Sequence, residues 1–238
     1  MYLPSEAYAP GTVEQPRRRS SGVTEIVSSI PGLSAEVHPL VQRMLRRASD
    51  ADPLVRLVQC AEVAVDEADA ELGRVLDEVE SGPLHELLSQ LREVPDSVTR
   101  TQWIQRVGEA LLPFRPAVID LRPRQIGRRF KDYRYAESRN TGSHRRTGVA
   151  AASVLFATSL CCAVGDAVRR HDGLGREVSA RLPTFPGPVP TPWTLAGTLA
   201  EADRVELLAG FHACAGAAWR MLNELYEVCW LECDKGAR

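Results

Sequence analysis

Between Ser138 and Thr147 the chain reads S-R-N-T-G-S-H-R-R-T, placing Arg139, Asn140 and His144 within six residues, followed at once by Arg145 and Arg146. A guanidinium, an amide and an imidazole this close together allow three readings: a catalytic Arg/His pair, a phosphate-binding patch, or a basic turn capping the helix that begins near Gly148. Just upstream, Arg128, Arg129, Lys131 and Arg134 are interleaved with Phe130, Tyr133 and Tyr135. Such a mixture can neutralise phosphates and stack bases. From Arg115 to Arg146 ten basic residues stand against Asp120, Asp132 and Glu137, a balance of +7 in a chain whose formal charge is −2. The remainder therefore carries −9, and the asymmetry predicts an anionic partner for the 115–146 segment. A competing expectation is internal. Glu62, Asp66, Glu67, Asp69, Glu71, Asp77, Glu78 and Glu80 form the outer face of one predicted helix and could take the same cations.

The stretch Arg139-Asn140-Thr141-Gly142-Ser143-His144 resembles the motif of the HEPN family of ribonucleases and RNA-binding proteins. Those helical bundles carry an Arg, a polar residue that is often Asn, a short spacer, and then a His near a helix end. The resemblance covers six residues and the fold class. It implies a metal-independent endoribonuclease in which His144 acts in proton transfer with the RNA 2′-hydroxyl while Arg139 stabilises charge on the phosphate. It also implies two copies of the motif facing each other across a dimer. The structural reading of the same residues is a loop, with Ser143 as helix N-cap.

Other chemistries find less in the chain. Asp66-x-x-Asp69 and Asp77-x-x-Glu80 suggest magnesium carboxylates, but the Glu-x-x-Glu signature of all-α nucleotide pyrophosphohydrolases is missing. Di-iron bundles need Glu-x-x-His pairs, and none occurs. The six cysteines (Cys60, Cys161, Cys162, Cys214, Cys229, Cys233) lie in apolar helical patterns without paired C-x-x-C spacing, so they read as small buried hydrophobes in a reduced cytoplasm. No cofactor or metal is expected. The alternative to RNA is a non-catalytic helical adaptor that docks an acidic protein surface.

The elements that would position these residues are helices. Residues 1–32 hold Pro4, Pro10, Pro16, Pro31 and the run Arg17-Arg18-Arg19, and are expected to form a disordered tail ahead of a single helical domain over 33–238. A short helix is predicted near 39–48. One continuous helix over 52–80, with Asp52 as N-cap, is predicted from the 4-3 spacing of Leu54, Val58, Ala61, Val65, Ala68, Leu72, Val75 and Val79. Shorter helices follow, one after Pro83 and one capped by Asp96 or Ser97. A helical piece from about Arg124 to Glu137 carries the basic residues.

Gly148–Gly165 is uncharged for eighteen residues, but its Ala, Ser and Thr content predicts a helix buried on all sides rather than a membrane span. Five prolines between Pro183 and Pro192 predict a stiff connector over 182–193. Thr198 and Glu201 predict a capping box opening a helix over 199–233, whose inner stripe is Val205, Leu208, His212, Ala215, Trp219, Leu222, Tyr226, Cys229 and Cys233. In that reading His212 is a core histidine. With no strand pattern anywhere, the fold class is an all-α multi-helix bundle with long heptad-patterned helices. The length of the last helix predicts a homo-oligomer with Trp219 or Tyr226 near the contact.

Overall fold

The computed structural model describes residues 35–46, 51–92, 99–116, 120–139, 141–171 and 199–231. The expected tail over 1–32, Asp96, Ser97, Asn140, the connector over 182–193, Thr198 and Cys233 lie outside the described residues. Among those described, 87% are helical and none is in a strand. The all-α fold class read from periodicity is the observed one.

In chain order the helices are α1 (Pro39–Arg46), α2 (Ala51–Ala64), α3 (Ala68–Glu78), α4 (Pro83–Arg92), α5 (Arg100–Ala110), α6 (Arg122–Arg139), α7 (Ser143–Arg170) and α8 (Glu201–Tyr226). A π-helical turn over Glu227–Leu231 continues α8. The apolar stretch after Gly148 is the centre of the bundle. α7 packs along α8, touches α2, α3, α5 and α6, and is crossed by α1. Its most apolar window is long enough to span a membrane, but 83% of that window is buried inside the bundle. Its polar residues are satisfied internally. Ser153 Oγ donates to Val149 O at 2.7 Å, Thr158 Oγ1 to Val154 O at 2.8 Å, and Ser159 Oγ accepts from Ala35 N–H at 2.8 Å.

Two glycines set how closely α7 and α8 approach. A Cβ on Gly148 would overlap the Leu207 carbonyl, and one on Gly210 would overlap the Arg145 carbonyl. The backbones are in direct contact at this crossing, which fixes the rotation of α8. Its buried face is Leu207, Phe211, Cys214, Ala218, Met221 and Leu225. Ala215, Leu222 and Cys229 of the expected stripe are buried as well, but its Leu208, Trp219 and Tyr226 are only half-buried, so the centre of the buried face lies about one position before the expected line. His212 is consequently exposed, as is Val205. The exposure of His212 has a packing cause: the face with Gly210, Cys214 and Ala218 lets the helices touch, and the face with Val205, Leu208 and His212 does not.

The helix expected over 52–80 is two helices. It breaks between Ala64 and Ala68, where Glu67 takes a left-handed conformation (φ 62°). Other helices donate to backbone carbonyls at the break, where Val65 O also accepts from Ala68 N–H at 3.1 Å. Thr101 Oγ1 donates to Val65 O at 3.2 Å and Arg134 Nη2 to Asp66 O at 2.9 Å. The apolar residues of the pattern from Leu54 to Val75 are nevertheless all buried. The acidic outer face is less uniform than expected, because Glu71 is buried and Asp69 is held by Arg100. α5 is opened by a capping box of Thr99 and Gln102, not by Asp96 or Ser97. Asp52 lies inside α2, which begins at Ala51, and its carboxylate accepts from Arg56 Nε at 2.7 Å. At the start of α8 the N-cap is Ala200.

Arg100 ties four helices together while only 3% exposed. It pairs with Asp69 of α3, donates from Nη2 to Leu91 O of α4 at 3.2 Å, and donates from Nε to Thr158 Oγ1 of α7 at 2.7 Å. A buried cation with every direction filled holds its partners in one arrangement, and its removal leaves them unpaired. Replacing Arg100 by Leu is expected to cost about 3–5 kcal/mol in urea unfolding, as for other broken buried pairs. The glycines give a paired expectation. Gly148→Ala should destabilise by about 3 kcal/mol or more through backbone overlap, whereas Gly73→Ala, with nothing within 4 Å of the added carbon, should stabilise α3 by up to about 1 kcal/mol. Equal effects at the two positions would contradict the crossing described here.

Candidate functional site

The Arg-His stretch lies at the turn between α6 and α7. Arg139 is the last residue of α6 and His144 the second of α7. The expected N-cap, Ser143, is instead the first helical residue; Gly142 occupies the cap without a side-chain bond, and Ser143 O accepts from Thr147 Oγ1 at 2.9 Å. Asn140 falls outside the described residues.

The two outer members of the motif engage different neighbours. Arg139 is exposed and stacks over the Tyr135 ring one turn earlier on its own helix, 4.2 Å from the centroid. His144 Nδ1 lies 3.5 Å from Asp203 Oδ1 in the first turn of α8. The two arginines that follow reach two further helices. Arg145 Nη2 is 3.1 Å from Glu137 Oε2 of α6, and Arg146 pairs with Glu78 of α3. His144, Arg145 and Arg146 thus anchor the start of the central helix to α8, α6 and α3 in turn. A basic residue at a helix N-terminus is unfavourable against the helix dipole. The carboxylates of Glu137 and Glu78 offset that cost for Arg145 and Arg146.

α6 carries the rest of the basic segment, and most of it is neutralised within the chain. Arg124 Nη2 meets Glu62 Oε2 at 2.8 Å and Arg115 Nη2 meets Glu62 Oε1 at 3.4 Å, so one carboxylate serves two guanidiniums. Lys131 Nζ reaches Asp66 at 2.7 Å and Glu67 at 3.1 Å, and these bonds hold its pKa above the ordinary lysine value. Arg129 pairs with Glu224 of α8. Arg122 Nη2 lies 2.9 Å from Asp120, which also takes Arg56 Nη1 at 2.5 Å.

Arg134 is only 2% exposed. Its Cζ sits 5.5 Å from the Phe130 ring centroid, it donates to Asp66 O, and its Nε and Nη1 have no hydrogen-bond partner among the described residues. It is a structural residue, closed to any external phosphate. Tyr133 is half-buried beneath the Arg220 guanidinium, 5.8 Å from its centroid.

The ten cations therefore divide unevenly. Arg115, Arg122, Arg124, Arg129, Lys131, Arg145 and Arg146 are ion-paired. Arg134 is buried on a carbonyl. Arg128 and Arg139 are exposed on the outer face of α6 with no carboxylate partner among the described residues, and Tyr135, 40% exposed, lies between them. Arg128 borders an open groove of about 610 Å³ between α2, α5 and α6, whose walls also carry Glu62, Asp66, Glu109, Asp132, Arg115, Arg124 and Lys131. The groove is of mixed sign, four carboxylates against four cations.

No group of three or more potential metal ligands occurs among the described residues. Cys60, Cys161, Cys214 and Cys229 are buried, and burial pushes the Cys60, Cys161 and Cys214 thiols well above the ordinary range. They pack as hydrophobes.

The sequence offered no signal for Arg100 or for the meeting of Arg56 with Asp120, because each joins segments distant along the chain, whereas the pairing of Glu62 with Arg115 and Arg124 realises the expected capture of the basic segment by the acidic face. No family model matches the chain, and neither a curated protein nor a solved structure matches it.

The Asp120 cluster has a defined pH signature. The Arg122 side-chain hydrogen bond, helped by the Arg122 backbone N–H and by Arg56, holds the Asp120 carboxyl at about 2, below its ordinary 3.8. A depressed carboxylate stabilises the folded state fully above its unfolded pKa and loses that contribution as pH falls through the folded one. Asp120→Asn should therefore cost on the order of 2 kcal/mol at pH 5–7, the gap to the wild type narrowing below pH 3.8 toward about 2. Urea titrations across pH 3–7 read this directly; a gap that widened with acid would refute the assignment.

Proposed function

We propose that this protein is a non-catalytic helical adaptor that docks an acidic protein surface through the outer face of α6. The observation that carries the reading is the division of the basic segment: seven of its ten cations are already paired with carboxylates of the same chain. The exposed α6 cations without a carboxylate partner among the described residues are Arg128 and Arg139, with Tyr135 between them, beside a groove of mixed sign. Polyanionic RNA gains affinity by releasing counterions at many phosphates, and a surface with few unpaired cations supplies little of that term. A protein partner asks less of net charge, because a few exposed Arg and Tyr side chains suffice as anchors in an otherwise mixed contact.

RNA binding is the second reading, favoured by one observation: Arg139 stacked on an exposed tyrosine, beside a turn that also holds His144. Under it, two chains would bring their Arg139 and His144 residues together, and His144→Ala would abolish cleavage of RNA while leaving most affinity intact. A homo-oligomer belongs to both readings. Its contact is expected near Trp219 or Tyr226, both half-buried, the Tyr226 hydroxyl accepting from Arg43 of its own chain at 2.9 Å.

The salt dependence of binding to a single-stranded RNA separates the two. Affinity should fall with log–log slope no steeper than about −2 if only Arg128 and Arg139 are free, since each phosphate contact contributes about −0.7. An acidic polypeptide such as poly-Glu should bind more tightly than RNA of equal charge, and Arg128→Glu with Arg139→Glu should abolish that binding. A slope of about −5 or steeper, or cleavage that His144→Ala removes, would overturn the adaptor reading.

A further inference from the structure

His38 is fully buried, and both of its ring nitrogens have assigned roles. It immediately precedes α1, with Pro39 as the first helical residue. Leu40 N–H donates to Nδ1 at 3.1 Å, so Nδ1 must carry a lone pair. Nε2 therefore carries the proton and donates to Asn223 Oδ1 of α8 at 3.0 Å. The ring also meets the Trp219 ring edge-on, with centroids 4.4 Å apart and planes at 74°. The neutral imidazole thus does two jobs at once, capping α1 and fastening it to α8.

We propose that α1 is a proton-operated latch, closed over α8 while His38 is neutral and opened when His38 takes a second proton. That proton must enter at Nδ1, where it would point at the Leu40 N–H. It would destroy the cap and leave a charged ring buried. The groups bonded or stacked on the ring are Leu40 N–H from its own helix and Asn223 and Trp219 from α8; from α7, Ser159 is occupied by the Ala35 N–H. No carboxylate is among them. The cation on its own helix, Arg43, is turned to the Tyr226 hydroxyl and the Trp230 ring, 5.0 Å from the centroid. Burial accordingly lowers the His38 pKa below its ordinary 6.5.

The direction follows from linkage. Above pH 6.5 the ring is neutral open or closed, and the latch is at full strength. As pH falls below 6.5 the open form binds the proton and the closed form resists it, so opening grows until the closed-form pKa is passed. Opening uncovers Trp219, Tyr226 and Trp230 on one side of α8, an aromatic surface that the chain otherwise covers with its own helix.

Hydrogen exchange of the full chain from pH 7.5 to 5.0, corrected for intrinsic rates, tests this. Protection of the 41–46 amides should fall by up to about tenfold per pH unit below the free histidine value, while that of Ser143–Arg170 is retained. In His38→Asn the fall should vanish, because Asn keeps a side-chain acceptor at the cap and does not titrate. Unchanged protection in the wild type, a parallel loss along α7, or a persistent fall in His38→Asn would each overturn the latch. If that variant does not fold, the wild-type imidazole resonance decides: His38 titrating at or above 6.5 in the closed protein refutes it, and titration below supports it.

Discussion

The contact of α7 with α8 through Gly148 and Gly210 is the constraint from which the rest of the arrangement follows. Two helices whose backbones touch cannot rotate independently, so the phase of α8 is set at this crossing. That phase delivers Asp203 to His144, Glu224 to Arg129, and Asn223 to His38. It also turns His212 outward. Polar pairings at both ends of α8 are therefore consequences of a packing choice among glycine, alanine and cysteine side chains near its middle.

A second set of constraints arises where backbone polarity is uncovered inside the bundle. The chain breaks its long acidic helix at Glu67; Val65 O keeps the Ala68 N–H at 3.1 Å, and the Asp66 carbonyl at the break needs a donor from elsewhere. Arg134 supplies that donor, and Thr101 adds a second one to Val65 O. Lys131 binds Asp66 and Glu67 from outside the same break. The basic helix α6 and the break in α2–α3 thus explain each other, which is why so much of the positive charge is turned inward or paired across the α2–α6 contact.

For function, the consequence is that formal charge and available charge differ. A surplus of +7 over 115–146 looks like a polyanion site when counted along the sequence. Folded, it meets Glu62, Asp66, Glu67, Glu78 and Glu224, and among its described residues only Arg128 and Arg139, on the outer edge of α6, remain as exposed cations without a carboxylate partner. Exposed pairs of this kind contribute little stability individually, yet together they lower the field an approaching anion would feel. The Arg-His turn is likewise engaged in positioning the start of the central helix through Asp203, Glu137 and Glu78.

Composition and periodicity alone determined the all-helical class, the burial of the residues from Leu54 to Val75, the buried course of the Gly148 helix, and the helical nature of the basic segment. These depend on spacing within one segment, and a 3.6-residue period is legible without neighbours. The expectation that the acidic helix could take the basic residues was also open to the sequence, as one of two outcomes. Tertiary structure decided between them, because pairing Arg124 with Glu62 or Arg146 with Glu78 requires residues over sixty positions apart to meet. It decided the phase of α8 as well. The stripes through His212 and through Phe211 repeat with the same spacing and share a broad buried face that includes Ala215 and Leu222, and contact of Gly210 with the α7 backbone turns that face far enough to leave His212 and Val205 exposed.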